Sequence, residues 1–359
     1  MSSSSSPSAI PPLPAELILH ILHLAHPPHA EYDHRHRRRD LLRCCLVCKA
    51  WRELAEPLLW HSLTIRSNVF MDRLALLPEW SRRWIRRLYF RGGTIASAHF
   101  RLSRFRVAFR LCPAVEFVRV VGAFKLDQMK PLRLSDFQSL SNLRSLSITS
   151  NIFIDPNASL PKVEILDFSG VHFRQDFVDW LTPAAFPSLR HLSLGHIPLP
   201  TIPRMQPSHL PSCLKTLELD AAYIRASPDL LKLPFRSILL TFAKSDLLQW
   251  HDFSTYPSSP NSAPLYVRFI GTAVPWILLT LFFDLPRLPH ALFLPHGCDT
   301  SPTASVFHSA ARASFLQESR RKGLEVRYYR SAKEEWHEVG CREFREYVEE
   351  RERMGETWA

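Results

Sequence analysis

The residues best suited to chemistry are cysteines and histidines near the start of the chain. Cys45 and Cys48 have the Cys-x-x-Cys spacing of redox and zinc sites, but both follow the apolar rhythm of a helix and no second pair follows at zinc-binding spacing. This pattern favours buried thiols, because an unpaired cysteine usually behaves as a small hydrophobe. Four histidines could bind a metal, although their polar, proline-containing surroundings are more typical of a solvated surface: His26, His29, His34 and His36.

Motifs that mark enzymes are absent from the sequence. The chain has 10 glycines, of which the adjacent pair is Gly92-Gly93, and it contains neither a P-loop nor a dinucleotide-binding fingerprint. The nucleophile-elbow and HExxH patterns are missing as well. His172, His191 and His196 lie near predicted strands, but no local arrangement of nucleophile, base and acid surrounds them. We therefore expect no enzymatic activity, no cofactor and no metal.

Clustered arginines form a second candidate site. The formal net charge is +11, and nine arginines but no acidic residue lie between Trp80 and Val115. This segment could bind an acidic or phosphorylated protein partner, since guanidinium groups pair well with carboxylates and phosphates. Single-stranded nucleic acid is a less favoured partner, and a solvated helix face is the interpretation that the pattern favours most. The residues of the possible patch are Arg82, Arg83, Arg86, Arg87, Arg101 and Arg104.

Cysteine usage and hydropathy indicate the compartment. The seven cysteines are an odd, scattered set, which is typical of proteins in a reducing environment. The serine-rich start lacks the features of a signal peptide, and no apolar run reaches the roughly 20 residues of a membrane helix. We expect a protein of the cytoplasm, the nucleus or both, without membrane association and with a disordered tail at residues 1–10. The run at 35–39 could also serve as a nuclear-localisation or anion-binding patch.

Three short helices are predicted after this tail. The first runs from about Pro14 to Ala25, the second begins with Asp40 as its N-cap, and the third ends before Pro57. Apolar residues cover more of the first helix than one face of an amphipathic helix can hold. A module of about fifty residues buries too little surface to cover such a helix. Part of it therefore needs a partner, either the rest of the chain or a second protein.

Residues 11–60 resemble the F-box. The resemblance rests on Leu13-Pro14-x-Glu16-Leu17, on the segment from Leu41 to Lys49, and on Trp51-Arg52-x-Leu54-Ala55 followed by Leu58-Leu59-Trp60. F-boxes are three-helix modules that bind the Skp adaptor of a cullin–RING ubiquitin ligase. The resemblance assigns Trp51 and Leu54 to the core of the module. It places these residues at or near the adaptor interface: Leu13, Pro14, Leu17, Ile18, Ile21, Leu42 and Val47. An enlarged segment at 27–39 departs from the family pattern.

A repeating pattern follows residue 60. The template apolar-x-x-apolar-x-apolar recurs at intervals of 20 to 30 residues, and its last two apolar positions would share one face of a short strand. Its central positions are Leu63, Leu88, Val118, Leu146, Leu166, Leu192, Leu217 and Ile238. Residues 61–245 resemble irregular leucine-rich repeats, although the asparagine usual after the strand is missing from most units.

The region 246–359 is predicted to continue or close this α/β array. Strands are expected at 265–270, 291–294 and 324–329, and helices at 305–321 and 341–354. The complete prediction is an α/β chain in which a three-helix F-box precedes an irregular leucine-rich-repeat solenoid. Such an order implies a substrate-receptor subunit of an SCF-type ubiquitin ligase, with an unidentified target protein. A protein-interaction scaffold outside the ligase is the alternative.

Overall fold

A helical module followed by a parallel sheet makes up the part of the chain that the structure describes. The computed structural model describes residues 13–25, 34–91, 102–121, 132–149, 153–155, 159–169, 171–173, 181–195, 210–220, 237–242, 265–269, 276–284, 288–295, 306–329 and 342–354. The expected tail at 1–10 lies outside these residues. Parallel strands with helices between them confirm the α/β class.

The module consists of α1 (Ala15–Ala25), α2 (His34–Cys45) and α3 (Lys49–Trp60). At the start of α1 the carbonyl of Pro14 accepts hydrogen bonds from the backbone N–H groups of Leu17 and Ile18, both at 3.1 Å. All three helices contribute to one apolar core, because spacings of three and four residues bring their apolar side chains to the inner faces. The buried members of this core are Ile18, Leu22, Leu41, Cys45 and Ala55.

Two predicted helix boundaries in this module are wrong. Helix α2 begins at His34 and not near Asp40, whose carboxylate instead accepts a hydrogen bond from Arg43 at 3.3 Å. No glycine or proline interrupts 34–45, so the arginine-rich segment continues the helix. Helix α3 runs through Pro57 to Trp60, because Leu58 and Leu59 pack against the module core and this burial outweighs the hydrogen bond that proline cannot donate.

Eleven of the described strands form one sheet, and all ten pairs of neighbouring strands in it are parallel. Each strand pairs with the next strand of this sheet along the chain. A second sheet contains β4 (Leu132–Arg133), β6 (Phe153–Asp155) and β8 (His172–Phe173). The main sheet contains β1 (Ser62–Ile65), β2 (Arg87–Arg91), β3 (Phe117–Val121), β5 (Ser145–Thr149), β7 (Ile165–Ser169), β9 (His191–Gly195), β10 (Thr216–Asp220), β11 (Ser237–Phe242), β12 (Leu265–Phe269), β13 (Ala291–Pro295) and β14 (Glu325–Tyr329).

The register of the main sheet follows the predicted repeat. Leu63 lies opposite Leu88, Leu88 opposite Val118, and the row continues through every central position of the template to Ile238. A second row lies two residues further along each strand and runs from Ile65 to Leu240. Because side chains alternate between faces with a period of two, both rows point into the same core.

A hydrogen-bond pattern repeats at the start of successive strands. The carbonyl of His61 accepts bonds from the N–H groups of Arg86 and Arg87, both at 3.0 Å. The carbonyl of Arg86 accepts two bonds from Glu116 and Phe117 in the same way, and the pattern continues to Lys215 and Thr216. Each strand therefore aligns the next one by two backbone bonds before the regular ladder begins.

Helical segments cover the core face of the sheet. Phe105 and Phe109 of α6 pack on Phe90 of β2 with ring centroids 4.5 and 5.8 Å away, and Phe137 extends this cluster at 5.0 Å from Phe109. The helical segments after the module are α4 (Asn68–Leu76), α5 (Glu79–Arg83), α6 (Leu102–Leu111), the 3-10 helix Leu134–Ser139, α7 (Trp276–Leu279), the 3-10 helix Thr280–Asp284, α8 (Val306–Lys322) and α9 (Arg342–Arg353).

Beyond residue 245 the same sheet continues through β12, β13 and β14, and the predicted helices correspond to α8 and α9. The apolar-x-x-apolar-x-apolar template is no longer recognisable in the sequence there, but the strand register continues. Val267 lies opposite both Leu240 and Leu292. Within the described residues no helix has the length and apolar content needed to cross a bilayer.

Truncation of one core-row leucine tests the importance of this packing. We expect Leu166→Ala to lower the free energy of unfolding by about 2–5 kcal/mol, because its fully buried side chain leaves a cavity between neighbouring strands. The matched control is Leu76→Ala in α4, where the leucine is 83% exposed, and its effect should stay below about 0.5 kcal/mol. Urea titrations of the two variants measure both values, and equal losses would contradict the assignment of Leu166 to the core.

Candidate functional site

The three-helix module presents an apolar surface to solvent. Leu17 of α1 is 49% exposed, and Val47, in the turn between α2 and α3, is 64% exposed. Pro14 is exposed as well. Six of the seven residues assigned to the adaptor interface have exposed side chains: Leu13, Pro14, Leu17, Ile21, Leu42 and Val47. A docking surface must be accessible to solvent in the unbound chain, and these six residues are accessible.

Ile18 is the exception among the assigned interface residues. Its side chain is buried with Leu22 and Leu41 in the module core, so it lies behind the surface and not on it. The reason is its position on α1: Ile18 and Leu22 are four residues apart and share the inner face of the helix. Trp51 and Leu54 pack against this same core.

Three exposed apolar residues of the module were not assigned to the interface from the sequence. Leu46 is 78% exposed, and Leu19 and Leu24 are also exposed on α1. The exposure of Leu19 and Leu24 could have been inferred from the width of the apolar stripe on α1, because a stripe wider than one helix face leaves some of its residues in solvent. Leu46 follows the last residue of α2, where the spacing of the helix no longer determines which side chains are buried.

The cysteines of the module do not form a redox or metal site among the described residues. Burial raises the pKa of the Cys45 thiol, and Glu56 and Cys44 raise it further. A raised pKa opposes the thiolate form that metal binding and disulfide exchange require. The prediction that both cysteines are buried is wrong for Cys48, which is exposed at the N-cap of α3. No group of three potential ligands is found within the described ranges, and His26 and His29 lie outside them.

The arginine segment is partly neutralised by acids that lie outside it in sequence. Arg83 pairs with Glu79 at 2.7 Å, Arg86 with Glu116 at 3.4 Å, and Arg106 with Asp136 at 2.7 Å. The guanidinium group of Arg87 lies over the ring of Phe117, 5.5 Å from its centroid.

These contacts distribute the arginines among separate local partners. Arg82 lies on α5, Arg101 falls outside the described residues, and the side chain of Arg104 is likewise not described. A cationic surface formed by all six arginines therefore stays a prediction.

Residues 10–66 match the F-box-like family model, a span that covers α1, α2, α3 and β1. The chain carries an F-box-like domain. No curated protein matches the chain. Because F-box domains typically bind Skp adaptors, the match indicates an adaptor-binding role of SCF type, and it coincides with the part of the structure that exposes the apolar surface.

The second candidate surface is the face of the main sheet opposite its core. Helix α9 lies on this face: Phe344, Tyr347 and Val348 are buried against strand residues. Those strand residues are Leu239, Tyr266, Ala291 and Phe293, which belong to β11, β12 and β13. The rings of Phe344 and Tyr347 lie 5.1 and 5.7 Å from that of Tyr266. This aromatic contact holds α9 on the sheet.

Polar contacts extend from both flanks of α9. On one flank Arg345 reaches Asp167 of β7 at 3.5 Å and Glu352 pairs with Lys215 at 2.5 Å. On the other flank Glu350 lies 4.0 Å from Arg327 of β14. Six inter-strand spacings separate β7 from β14, which is roughly 29 Å across a flat sheet, whereas a helix is about 10–12 Å wide. The polar contacts of α9 therefore reach strands on both sides of its apolar contact.

A histidine lies buried beneath this flank of α9. The Nδ1 atom of His191 lies 2.7 Å from the hydroxyl of Thr216, and Nε2 lies 3.7 Å from the Glu349 carboxylate. Burial, followed by the nearby cations Arg345, Lys215 and Arg190, lowers the pKa of His191 to about 3. Their combined effect outweighs the attraction of the Glu349 carboxylate, which is 56% exposed to water. His191 is consequently neutral at pH 7.

Because His191 is neutral in the folded chain, the free energy of unfolding decreases as the pH is lowered. The unfolded chain binds a proton at His191 near pH 6.5, but the folded chain does so only near pH 3, so acidification between these values favours unfolding. We expect the wild type to lose about 1.4 kcal/mol more per pH unit than His191→Gln between pH 6 and pH 4. Urea titrations across this range measure both slopes, and parallel slopes would show that His191 is already protonated in the folded chain.

Proposed function

We propose that this chain is the substrate-receptor subunit of an SCF-type ubiquitin ligase. The F-box-like domain binds the Skp adaptor, and the sheet region, as an irregular leucine-rich-repeat solenoid, holds a target protein. The observation that carries the proposal is the match of residues 10–66 to the F-box-like family together with the exposed apolar side chains of that same span.

Adaptor binding follows from the chemistry of the exposed surface. Leu13, Leu17 and Ile21 on and before α1, together with Leu42 and Val47, are aliphatic side chains in contact with water. Complete burial of one such side chain contributes about 1.5–3 kcal/mol, and because these residues are about half exposed, covering one contributes roughly half of that. Several of them together supply a large part of the free energy of a specific contact. The partner must therefore offer a complementary apolar groove, as expected of an adaptor.

Support for the receptor role comes from the order and geometry of the sheet. Strands of similar length recur along the chain in one register, and the strand face opposite the core carries polar side chains such as Ser147, Asp167 and Ser193. Stacked units of this kind build extended binding surfaces in repeat proteins. The surface would select the target, while the F-box-like domain would attach it to the ligase.

The mechanism is proximity and not chemistry by this chain. Simultaneous binding of adaptor and target raises the effective concentration of the target near the ubiquitin-transferring machinery, to the millimolar range for short connections. No catalytic group or cofactor of this chain takes part in the proposed reaction. Action in the cytoplasm or nucleus belongs to the same proposal.

Charge substitutions on the apolar surface test the adaptor contact. We expect Leu17→Asp and Val47→Asp each to weaken binding of the purified Skp adaptor by at least about tenfold, because a carboxylate would be desolvated in the interface. The matched control is Leu76→Asp in α4, an exposed leucine outside the F-box-like domain, which should bind as the wild type does. Calorimetric titration measures all four chains. Absence of binding by the wild type, or unchanged binding by both domain variants, would refute the proposed contact.

A further inference from the structure

The cationic side chains of this chain are mostly arginines. The sequence contains 36 arginines and 9 lysines, and the imbalance is greatest at the end that carries the F-box-like domain. Residues 1–124 include 18 arginines but a single lysine, Lys49. Both side chains carry one positive charge at pH 7, so the net charge does not require this choice. The consequence of the composition lies in chemistry that an amine has and a guanidinium group lacks.

Structural contacts account for some of these arginines but not for the exposed ones. Arg52 donates a hydrogen bond from Nε to the carbonyl of Cys45 at 3.1 Å. Such a position favours arginine, because a lysine has no planar fork of donors. Arg66, Arg73 and Arg110 are instead exposed to solvent. Arginine and lysine have similar helix propensities, so helix formation does not require arginine at Arg73 in α4 or at Arg110 in α6.

Ubiquitin is attached to lysine amines and not to guanidinium groups. In this reaction the uncharged Nζ amine attacks the thioester carbonyl that joins ubiquitin to a cysteine of its carrier enzyme. An isopeptide C–N bond forms, the C–S bond breaks, the cysteine sulfur leaves as a thiolate, and the nitrogen loses a proton to solvent. Arginine keeps its charge in proteins and has no free amine for this attack. A surface that carries arginine in place of lysine is therefore a poor acceptor of ubiquitin.

Other groups hold two of the four lysines that the structure describes. The amine of Lys215 pairs with Glu352 at 2.5 Å, and the side chain of this lysine is 26% exposed. Lys322 donates a hydrogen bond to the carbonyl of Phe283 at 2.9 Å, and its side chain is 30% exposed. Each of these amines must break its contact before it can attack a thioester.

We propose that arginine in place of lysine protects this chain from ubiquitination while it is bound in the ligase. The proposal rests on the proposed function, since the amines of a bound receptor share the high effective concentration that the target experiences. The one lysine of the F-box-like domain is Lys49, whose side chain is 90% exposed and pairs with Glu53 at 3.8 Å. Lys49 begins α3 two residues after the exposed Val47, so an adaptor bound over Val47 shields this amine.

Self-modification of the full-length chain in a reconstituted ligase tests this protection. The chain is mixed with purified adaptor, cullin–RING subunits, ubiquitin and its activating and carrier enzymes, and mass spectrometry measures the ubiquitin attached to each lysine. We expect a lysine variant with Arg66→Lys, Arg73→Lys and Arg110→Lys to be modified at least about fivefold faster than the wild type, at the introduced amines. The matched control is a glutamine variant with Arg66→Gln, Arg73→Gln and Arg110→Gln, which gains no amine and should be modified as slowly as the wild type. All three positions are exposed, so both variants should fold as the wild type does.

Two outcomes of this comparison would overturn the proposal. Equal rates for the wild type and the lysine variant would show that the arginines do not limit modification. Equal gains in the lysine and glutamine variants would show that loss of the guanidinium groups, and not the new amines, causes the gain. A chain that fails to assemble with the adaptor would refute the proposed function instead. The same three chains are then joined by a flexible linker to the RING subunit, which keeps them near the carrier enzyme without the adaptor, and the same comparison decides the proposal.

Chemical acetylation of amines tests the shielding of Lys49 separately. We expect the adaptor to slow acetylation of Lys49 by N-hydroxysuccinimidyl acetate at least about tenfold, because a packed interface excludes water and the reagent dissolved in it. Lys162 is exposed and lies outside the F-box-like domain, so it should react at the same rate with and without the adaptor. Undiminished acetylation of Lys49 at saturating adaptor would overturn this part of the proposal.

Discussion

Alignment of each strand by its predecessor is the constraint on which the rest of this structure depends. The carbonyl group just before a strand accepts two backbone hydrogen bonds from the next strand, and the apolar rows then meet residue by residue. Because side chains alternate along a strand, a slip of one residue would turn every core row toward solvent. The repeated hydrogen bonds prevent that slip at each step. Interruption of one strand therefore affects its neighbours before it affects distant parts of the sheet.

The described residues contain three separate apolar clusters. The F-box-like domain has its own small core, the sheet has a large one, and α9 completes a third on the opposite sheet face. The domain leaves aliphatic side chains in water on its outer surface, while its buried residues hold the three helices together. No described buried residue of the domain core belongs to either apolar cluster of the sheet.

The fold could be predicted largely where local spacing determines burial. The central positions of the repeated triplet, from Leu63 to Ile238, are the residues that the sheet places opposite one another. The order of leucine, proline and tryptophan residues in the first sixty positions likewise indicated the domain that the family match supports. The burial of Ile18 was not foreseen, because a family pattern does not distinguish the inner face of α1 from its outer face.

Contacts between residues that are far apart in sequence could not be predicted from local patterns. The acids that pair with the arginines lie outside the arginine segment: Asp136 is thirty positions from Arg106. The position of α9 depends on Tyr266 and Phe293, which lie far from it in sequence and show no shared period with it. Pro57 indicated the end of a helix, but the burial of Leu58 and Leu59 decided otherwise. At Pro57, tertiary packing overrode a local rule.

Hydrogen exchange of the full-length chain with and without the purified Skp adaptor tests the central claim most directly. The account predicts that the adaptor slows exchange in residues 13–25 and 41–54, where the F-box-like domain exposes its apolar surface, and leaves strands β5 to β10 unchanged. Slowed exchange confined to the sheet, or no slowing anywhere at saturating adaptor, would contradict it.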